Sequence, residues 1–351
     1  MSSLSLCMIV RNEEKVIERC LNCVKDIFDE IIIVDTGSED KTKALCRKYT
    51  DKVYDFKWVD DFSAARNYAF TMASCEYLCW LDADDVIEEK DAAKIIELKK
   101  TLGGCDTYML KYVAAENPAG ESIFEFYRER IVRNCSSACF SGFVHECICP
   151  FGRIKYEDIS VRHRKAGVSD PERNLNIYLK KQKEGIPFDA RNVYYFAKEY
   201  FYLGRFVECS AKLKEFLLMK NKNIADVKDA LITLYKCDRQ KGEERPDYLF
   251  AVLKETGGDS EALTLLGDYF RSIKDVAKAE LYYKFALCVD EKNAVGFVNK
   301  SYYYLYPILD LVSLYYEAGE IEKAADFHRL SAEKYPTDER VIANARFFDK
   351  T

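Results

Sequence analysis

Five consecutive apolar residues, Tyr77-Leu-Cys-Trp-Leu81, run directly into three carboxylates, Asp82, Asp84 and Asp85. A short apolar run with an abrupt polar end reads as a buried strand. In open α/β sheets ligands collect at the carboxyl ends of strands, so this stretch points to an α/β layer with a polar rim. Asp82 and Asp84 are two apart and project to the same side in extended geometry. Paired carboxylate oxygens suit Mg2+ or Mn2+ better than zinc, and a cation held there stabilises a departing diphosphate. The plainer alternative is that Asp84 or Asp85 caps a following helix.

The stretch has company. Leu4 to Val10 is a β-rich run that stops at Arg11-Asn-Glu-Glu14, and Val16 to Val24 carries apolar residues at helical spacing. Glu30 to Val34 is a second, β-branched strand, ending in Asp35-Thr-Gly-Ser38 before a helix over Lys41 to Tyr49. Val53 to Phe56 reads as a third strand and Asp61 to Phe70 as a helix leading into the acid-tipped strand. Strands alternating with helices imply a mostly parallel sheet covered on both faces. The glycine-rich G-x-G-x-x-G fingerprint is missing. Arg11, Glu13, Asp35, Asp82 and Asp84 then share one rim. There an Asp accepts from a nucleobase N–H, and the planar fork of Arg66 faces a phosphate or a base edge. For Asp35 the plainer reading is a turn and cap.

The series Val10-Arg-Asn-Glu-Glu14, Val34-Asp-Thr-Gly-Ser38, Ala65-Arg-Asn67 and Leu81-Asp-Ala-Asp-Asp85 resembles the family 2 glycosyltransferases of the GT-A fold, in order and spacing, over residues 4 to about 90. The resemblance implies a nucleotide-diphospho-sugar donor, usually a UDP-sugar. Ile9, Arg11, Glu13 and Asp35 match nucleoside-lining positions, and Arg66 matches a donor-contacting arginine. Asp82-Ala-Asp84 matches the DxD motif, with Asp84 the direct ligand of Mn2+ or Mg2+ and Asp82 beside it. Arg11 stands where the family often has Tyr, which leaves guanidinium stacking or a phosphate contact open.

Beyond Gly103-Gly104, Thr107 to Ala114 and Ile123 to Arg133 read as strands, with Arg128 and Arg130 on one side, either steering an anionic donor or solvated at the surface. Gly142-Phe-Val-His-Glu146 resembles a segment of glycosyltransferases that carry a helical-repeat tail. By that resemblance His145 helps bind the metal or diphosphate and Glu146 is the general base. An inverting transfer needs a carboxylate to take the acceptor's proton. A structural histidine is the plainer reading of His145. His163, flanked by Arg162 and Arg164, lies where such chains often place a histidine near the diphosphate, or else on a solvated strand edge. Cys135, Cys139, Cys147 and Cys149 surround His145 but lack paired CxxC knuckles, which disfavours zinc. Cys20-x-x-Cys23 falls within a helix and reads as packing.

From Gly167 the period is helical throughout, giving an expected division into residues 1–166, an α/β GT-A domain, and 167–351, an all-α helical-repeat domain. Ser169-Asp-Pro-Glu172 marks a helix start. The unit Phe196…Tyr200…Gly204…Leu213…Phe216 recurs as Leu263…Gly267…Phe270…Ala279…Tyr283…Ala286 and as Leu311…Tyr315…Gly319…Ala324…Pro336, and it resembles tetratricopeptide repeats. A degenerate copy fits over Ala225 to Thr256 and an insertion around Val295 to Tyr306. The tyrosine clusters read first as repeat core. The alternative is a concave surface that recruits an acceptor peptide or pairs two chains as a homodimer.

With 53 Lys+Arg against 59 Asp+Glu and a net charge of −6, there is no clustered basic face for nucleic acid. No apolar run approaches the roughly 20 residues of a membrane span, and Met1 to Val10 lacks a signal-peptide pattern. A cytoplasmic chain with its 14 cysteines reduced is expected. The expectation is a metal-dependent, inverting glycosyltransferase acting on a peptide or glycan acceptor. The rival is a peptide-binding repeat scaffold with an inactive transferase fold.

Overall fold

The computed structural model describes residues 2–116, 120, 122–165, 170–296 and 298–348. The chain divides into two compact units, residues 1–187 and 188–351.

The first unit runs β1 (Leu4–Val10), α1 (Ile17–Val24), β2 (Glu30–Asp35), α2 (Thr42–Cys46), β3 (Val53–Asp55), α3 (Phe62–Thr71), β4 (Tyr77–Trp80), β5 (Asp85–Val86), α4 (Glu89–Thr101), β6 (Thr107–Glu116), β7 (Ser122–Arg133), β8 (Phe140–Ser141), β9 (Cys147–Ile148), β10 (Ile154–His163) and α5 (Arg173–Lys183). Eight strands form one sheet in the order β3-β2-β1-β4-β7-β6-β10-β5. The first four are mutually parallel, as the strand–helix alternation requires, and β7 and β5 run antiparallel to their neighbours. Every residue of β2 is buried, which is what a β-branched strand covered on both faces demands.

Alternation along β1 sorts the core. Leu4, Leu6 and Met8 pack with Ile17, Leu21 and Val24 of α1 and Ile95 of α4, while Cys7 packs on the other face with Val34, Ala69, Phe70 and Trp80. Each such aliphatic side chain, fully buried, contributes about 1.5–3 kcal/mol. Asp61 starts α3 by accepting from the Ala64 N–H at 3.0 Å.

Two registers position the rim. Val10 pairs with Asp35 and Cys7 with Trp80, so the strand ends stand side by side and the acids follow on next to Met8 and Ile9. On β7 the register passes from Tyr108–Ile131 to Met109–Glu129, leaving Arg130 as a bulge residue. The bulge swings Arg130 inward, where it is completely buried. This overturns the reading of Arg130 as a surface arginine.

The expected boundary at residues 166 and 167, with Ser169 of the helix-start cluster, lies outside the described residues. Helix α5, read from sequence as the start of the helical region, falls within the first unit. Its Leu175, Ile177 and Tyr178 are buried, Lys180 pairs with Asp60, and the Arg173 guanidinium lies 5.0 Å over the Phe62 ring.

The second unit is helical: α6 (Ala190–Tyr202), α7 (Phe206–Leu218), α8 (Ile224–Gln240), α9 (Asp247–Thr256), α10 (Ser260–Ser272), α11 (Val276–Leu287), α12 (Lys300–Tyr304), α13 (Tyr306–Glu317), α14 (Ile321–Lys334) and α15 (Glu339–Ala345). Packing joins α6 to α7, α8 to α9, α10 to α11 and α13 to α14, four helix pairs of tetratricopeptide type. The degenerate copy is α8 and α9, and the short α12 occupies the insertion. Asp189, Asp259 and Asp275 cap α6, α10 and α11. Tyr194 and Tyr283 are buried within helix pairs, as repeat core should be, whereas of the third cluster Tyr303 is buried in the insertion helix α12 and Tyr304 is exposed. Gly267 meets the Tyr283 ring so closely that a Cβ would stand 2.8 Å from Cζ and nearer still to two other ring carbons. No helix among the described residues is long and apolar enough to cross a membrane.

Candidate active site

A cleft of about 620 Å³ opens at the carboxyl ends of β1, β2 and β4. Ile9, Arg11, Glu13, Arg66, Asp82, Asp84, His145, Glu146 and His163 all line it, nine of the ten residues assigned from the sequence to donor, metal, diphosphate or base, and Arg128 lines it with them. The tenth, Asp35, is set back. Its Oδ1 accepts from the N–H groups of Gly37 and Ser38, both at 2.8 Å, and its buried Oδ2 has no hydrogen-bond partner. Gly37 holds φ at 107°, a region closed to other residues without strain.

Arg66 joins the two halves of the cleft. Its Nε donates to Glu146 Oε1 at 2.5 Å and its Nη2 to Asp82 Oδ1 at 2.6 Å, while Trp80 supports the guanidinium from 4.7 Å. All three partners are drawn from different elements, since Arg66 is on α3, Asp82 follows β4 and Glu146 precedes β9. Burial disfavours ionised Asp82, but Arg66, then Arg130 and Arg128, outweigh it and hold its pKa down to about 2. Arg128 also donates to the Glu146 backbone oxygen at 3.1 Å. Burial, followed by repulsion from Asp84 and Asp82, pushes Glu13 up to about 7.

Asp84 faces His163, with Nδ1 3.3 Å from Oδ1. Asp85 stands 3.9 Å from the same nitrogen. These three side chains form the one potential metal-ligand cluster among the described residues. Contact with Asp84, then Asp85, pushes His163 up to about 10. Arg19 donates to the Asp84 backbone oxygen at 3.3 Å and Cys20 Sγ to that of Asp82 at 3.6 Å. The Cys20-x-x-Cys23 pair therefore packs beneath the acid loop.

Residues 5–111 match the description "Glycosyl transferase family 2". Over residues 5–111 the chain is thus similar to family 2 glycosyl transferases. A TPR repeat-containing protein of Synechococcus elongatus is 37% identical over 148 residues, 42% of this chain and 36% of that protein. The SPbeta prophage-derived glycosyltransferase SunS of Bacillus subtilis is 38% identical over 97 residues, 27% of this chain and 23% of SunS. The chain thus spans about a third or less of the length of these relatives. The crystal structure of S. aureus TarS 1-349 overlays with a TM-score of 0.35 at 17% identity, covering 82% of this chain and 91% of that chain.

Within the matched residues, Asp84 and Asp85 do not cap a helix. The next helix, α4, begins at Glu89 after Glu88. Sequence reasoning gave Asp85 no other role, yet it is completely buried. Its Oδ2 accepts from the Asp82 N–H at 2.9 Å and lies 3.2 Å from Arg130 Nη1. Arg130 is stacked 3.8 Å from Trp80 and 4.7 Å from Tyr112. The third acid of Asp82-Ala-Asp-Asp85 was the only available signal for this arrangement. Strand β10, which carries His163, escaped notice because Ile154 to Asp158 is largely polar and exposed. His145 sits beside Glu146 with φ at 55°, a strained backbone of the kind that collects at functional sites.

Proposed function

We propose that the first unit transfers a sugar from a nucleotide-diphospho-sugar, a UDP-sugar by family, to a nucleophile on a peptide or glycan acceptor, by a single inverting displacement. The observation that carries this is the Arg66 bridge, which places Asp82, at the acid loop, and Glu146, the assigned base, on one guanidinium.

Arg11, Glu13 and Arg66 hold the donor from the cleft lining, with Asp35 behind them shaping the turn through Gly37 and Ser38. Two carboxylates and an imidazole converging within 4.8 Å form a donor set fit for Mn2+ or Mg2+, held by Asp84 and His163 with Asp85 behind. Asp82 is drawn to Arg66 and His145 is not among the clustered ligands, so both act on the diphosphate side. A bound cation supplies charge to offset the leaving diphosphate. Glu146 takes the acceptor's proton as its oxygen or sulfur bonds to the anomeric carbon and the carbon–diphosphate bond breaks. Arg66 fixes the carboxylate through Oε1. The helix pairs of the second unit present the acceptor.

The test is hydrolysis and transfer from UDP-glucose and UDP-N-acetylglucosamine with Mn2+ added. Cleavage of either donor that is lost in Glu146→Gln supports the proposal. Failure to bind or cleave both favours a repeat scaffold.

A further inference from the structure

Beside the large cleft lies a second compartment of about 330 Å³, walled by Arg11, Trp58, Phe62 and residues of α5. The two cavities share Arg11, Thr36, Phe62 and Arg173 in their walls, so they lie side by side. Nothing in the family match, which ends at residue 111, covers α5.

The position of the compartment restricts its ligand. The sheet order β3-β2-β1-β4 places the acids at the end of β4 and Thr36 at the end of β2, two strand spacings away, about 10 Å. The compartment continues from Thr36 toward Trp58, beyond the end of β3. A nucleotide with its diphosphate at the acids and its ribose crossing β1 delivers its base to this opening.

The walls match a flat heterocycle. Trp58 and Phe62 meet edge to face with centroids 4.8 Å apart. Trp58 is fixed by donating from Nε1 to Asp60 Oδ1 at 2.8 Å, and Asp60 is held in turn by Lys180. Arg11 has no hydrogen-bond or ion-pair partner among the described residues, which leaves its guanidinium plane available for stacking. The side-chain amide of Asn176 likewise has no partner among the described residues. It offers one carbonyl acceptor and two N–H donors, the complement of a base edge.

We propose that Asn176, on α5, reads the edge of the donor's nucleobase in this compartment. The inference rests on the donor reading above and extends it, making a helix outside the family match a determinant of nucleotide choice. Asn176 is exposed on α5, so its replacement leaves the packing of the helix intact.

The experiment measures binding of UDP, GDP and inorganic diphosphate to the full chain with Mn2+, by calorimetry and by tryptophan emission. The chain has two tryptophans, Trp58 and Trp80, so Trp58→Phe isolates the signal. Expected are preferential binding of one nucleoside diphosphate over the other and over inorganic diphosphate, with quenching that Trp58→Phe reduces to the share of Trp80, which lines the cleft. Asn176→Ala should reduce the preference between bases about tenfold, because an unread base edge loses its paired groups, and leave inorganic diphosphate binding unchanged. Unchanged base preference in Asn176→Ala, or quenching that Trp58→Phe does not reduce, overturns the slot while the donor reading stands. Absence of binding by all three probes overturns the donor reading and the slot with it.

Discussion

Arg66 and Glu146 are 80 positions apart in sequence and form a buried pair, Nε to Oε1 at 2.5 Å. Removing one member of such a pair strands the other charge away from water. Arg66→Ala takes the cation from Glu146 and the strongest of three arginines from Asp82, and is expected to destabilise the first unit by about 3–5 kcal/mol. Urea unfolding followed by Trp emission checks this, and a loss below about 1 kcal/mol would show the bridge to be solvated.

Glu146→Gln keeps the shape and removes the base. Sugar transfer should fall about 100- to 10,000-fold, with the affinity for a nucleoside diphosphate unchanged. Equal losses of donor affinity and turnover would place Glu146 on the donor instead.

Asp84→Asn removes a carboxylate from the cluster with Asp85 and His163. Stimulation of donor cleavage by Mn2+ should disappear, and Mn2+ binding measured by calorimetry should weaken. Undiminished cleavage with the substitution in place would remove the metal from the reading.

Glu30 ties three segments together. Its carboxylate accepts from Ser5 Oγ at 2.5 Å and from Ser74 N at 2.8 Å and pairs with Lys52. Burial opposes its ionisation, but Lys52, Ser5 and Ser74 outweigh that and bring it from 4.5 down to about 2. A depressed folded-state value means the contribution is fully present above pH 4.5 and is lost as pH falls toward about 2. The stability difference between wild type and Glu30→Gln should therefore be constant near neutrality and shrink across that window. Denaturant titrations at a series of pH values measure it.

Gly267→Ala gains about 1 kcal/mol of helix propensity and drives a methyl into the buried Tyr283 ring, whose hydroxyl is anchored on Asp268 at 2.8 Å. Overpacking costs about 1–3 kcal/mol, so a lower Tm for the second unit is expected. An unchanged or higher Tm would show that α10 and α11 can separate at no cost.

The parallel strands β1, β2 and β4, the acids after them and the helix pairs were legible because each writes a local period into the chain. An apolar run needs both faces covered, and a carboxylate directly after it has only the rim to occupy. Gly267 was legible as a small residue within a repeat copy, where two helices cross closely. Asp35 was legible as a turn former, and its unpartnered Oδ2 was not.

Other features depend on partners far away in sequence. The direction of β7, the presence of β10 and the bulge at Arg130 follow from pairing with β6, which no local period announces. Asp85 has the same side chain as Asp84, yet one is sealed against Arg130, which the β7 bulge brings inward, and the other faces the cleft. Likewise α5 has the pattern of a helical-repeat segment and lies in the first unit because Tyr178 and Ile177 find an apolar surface there. Sequence alone determined which side chains reach the rim of the sheet. The tertiary structure decided which acid faces which cation, since burial and long-range pairing, not residue type, set the cost of leaving a charge unmatched.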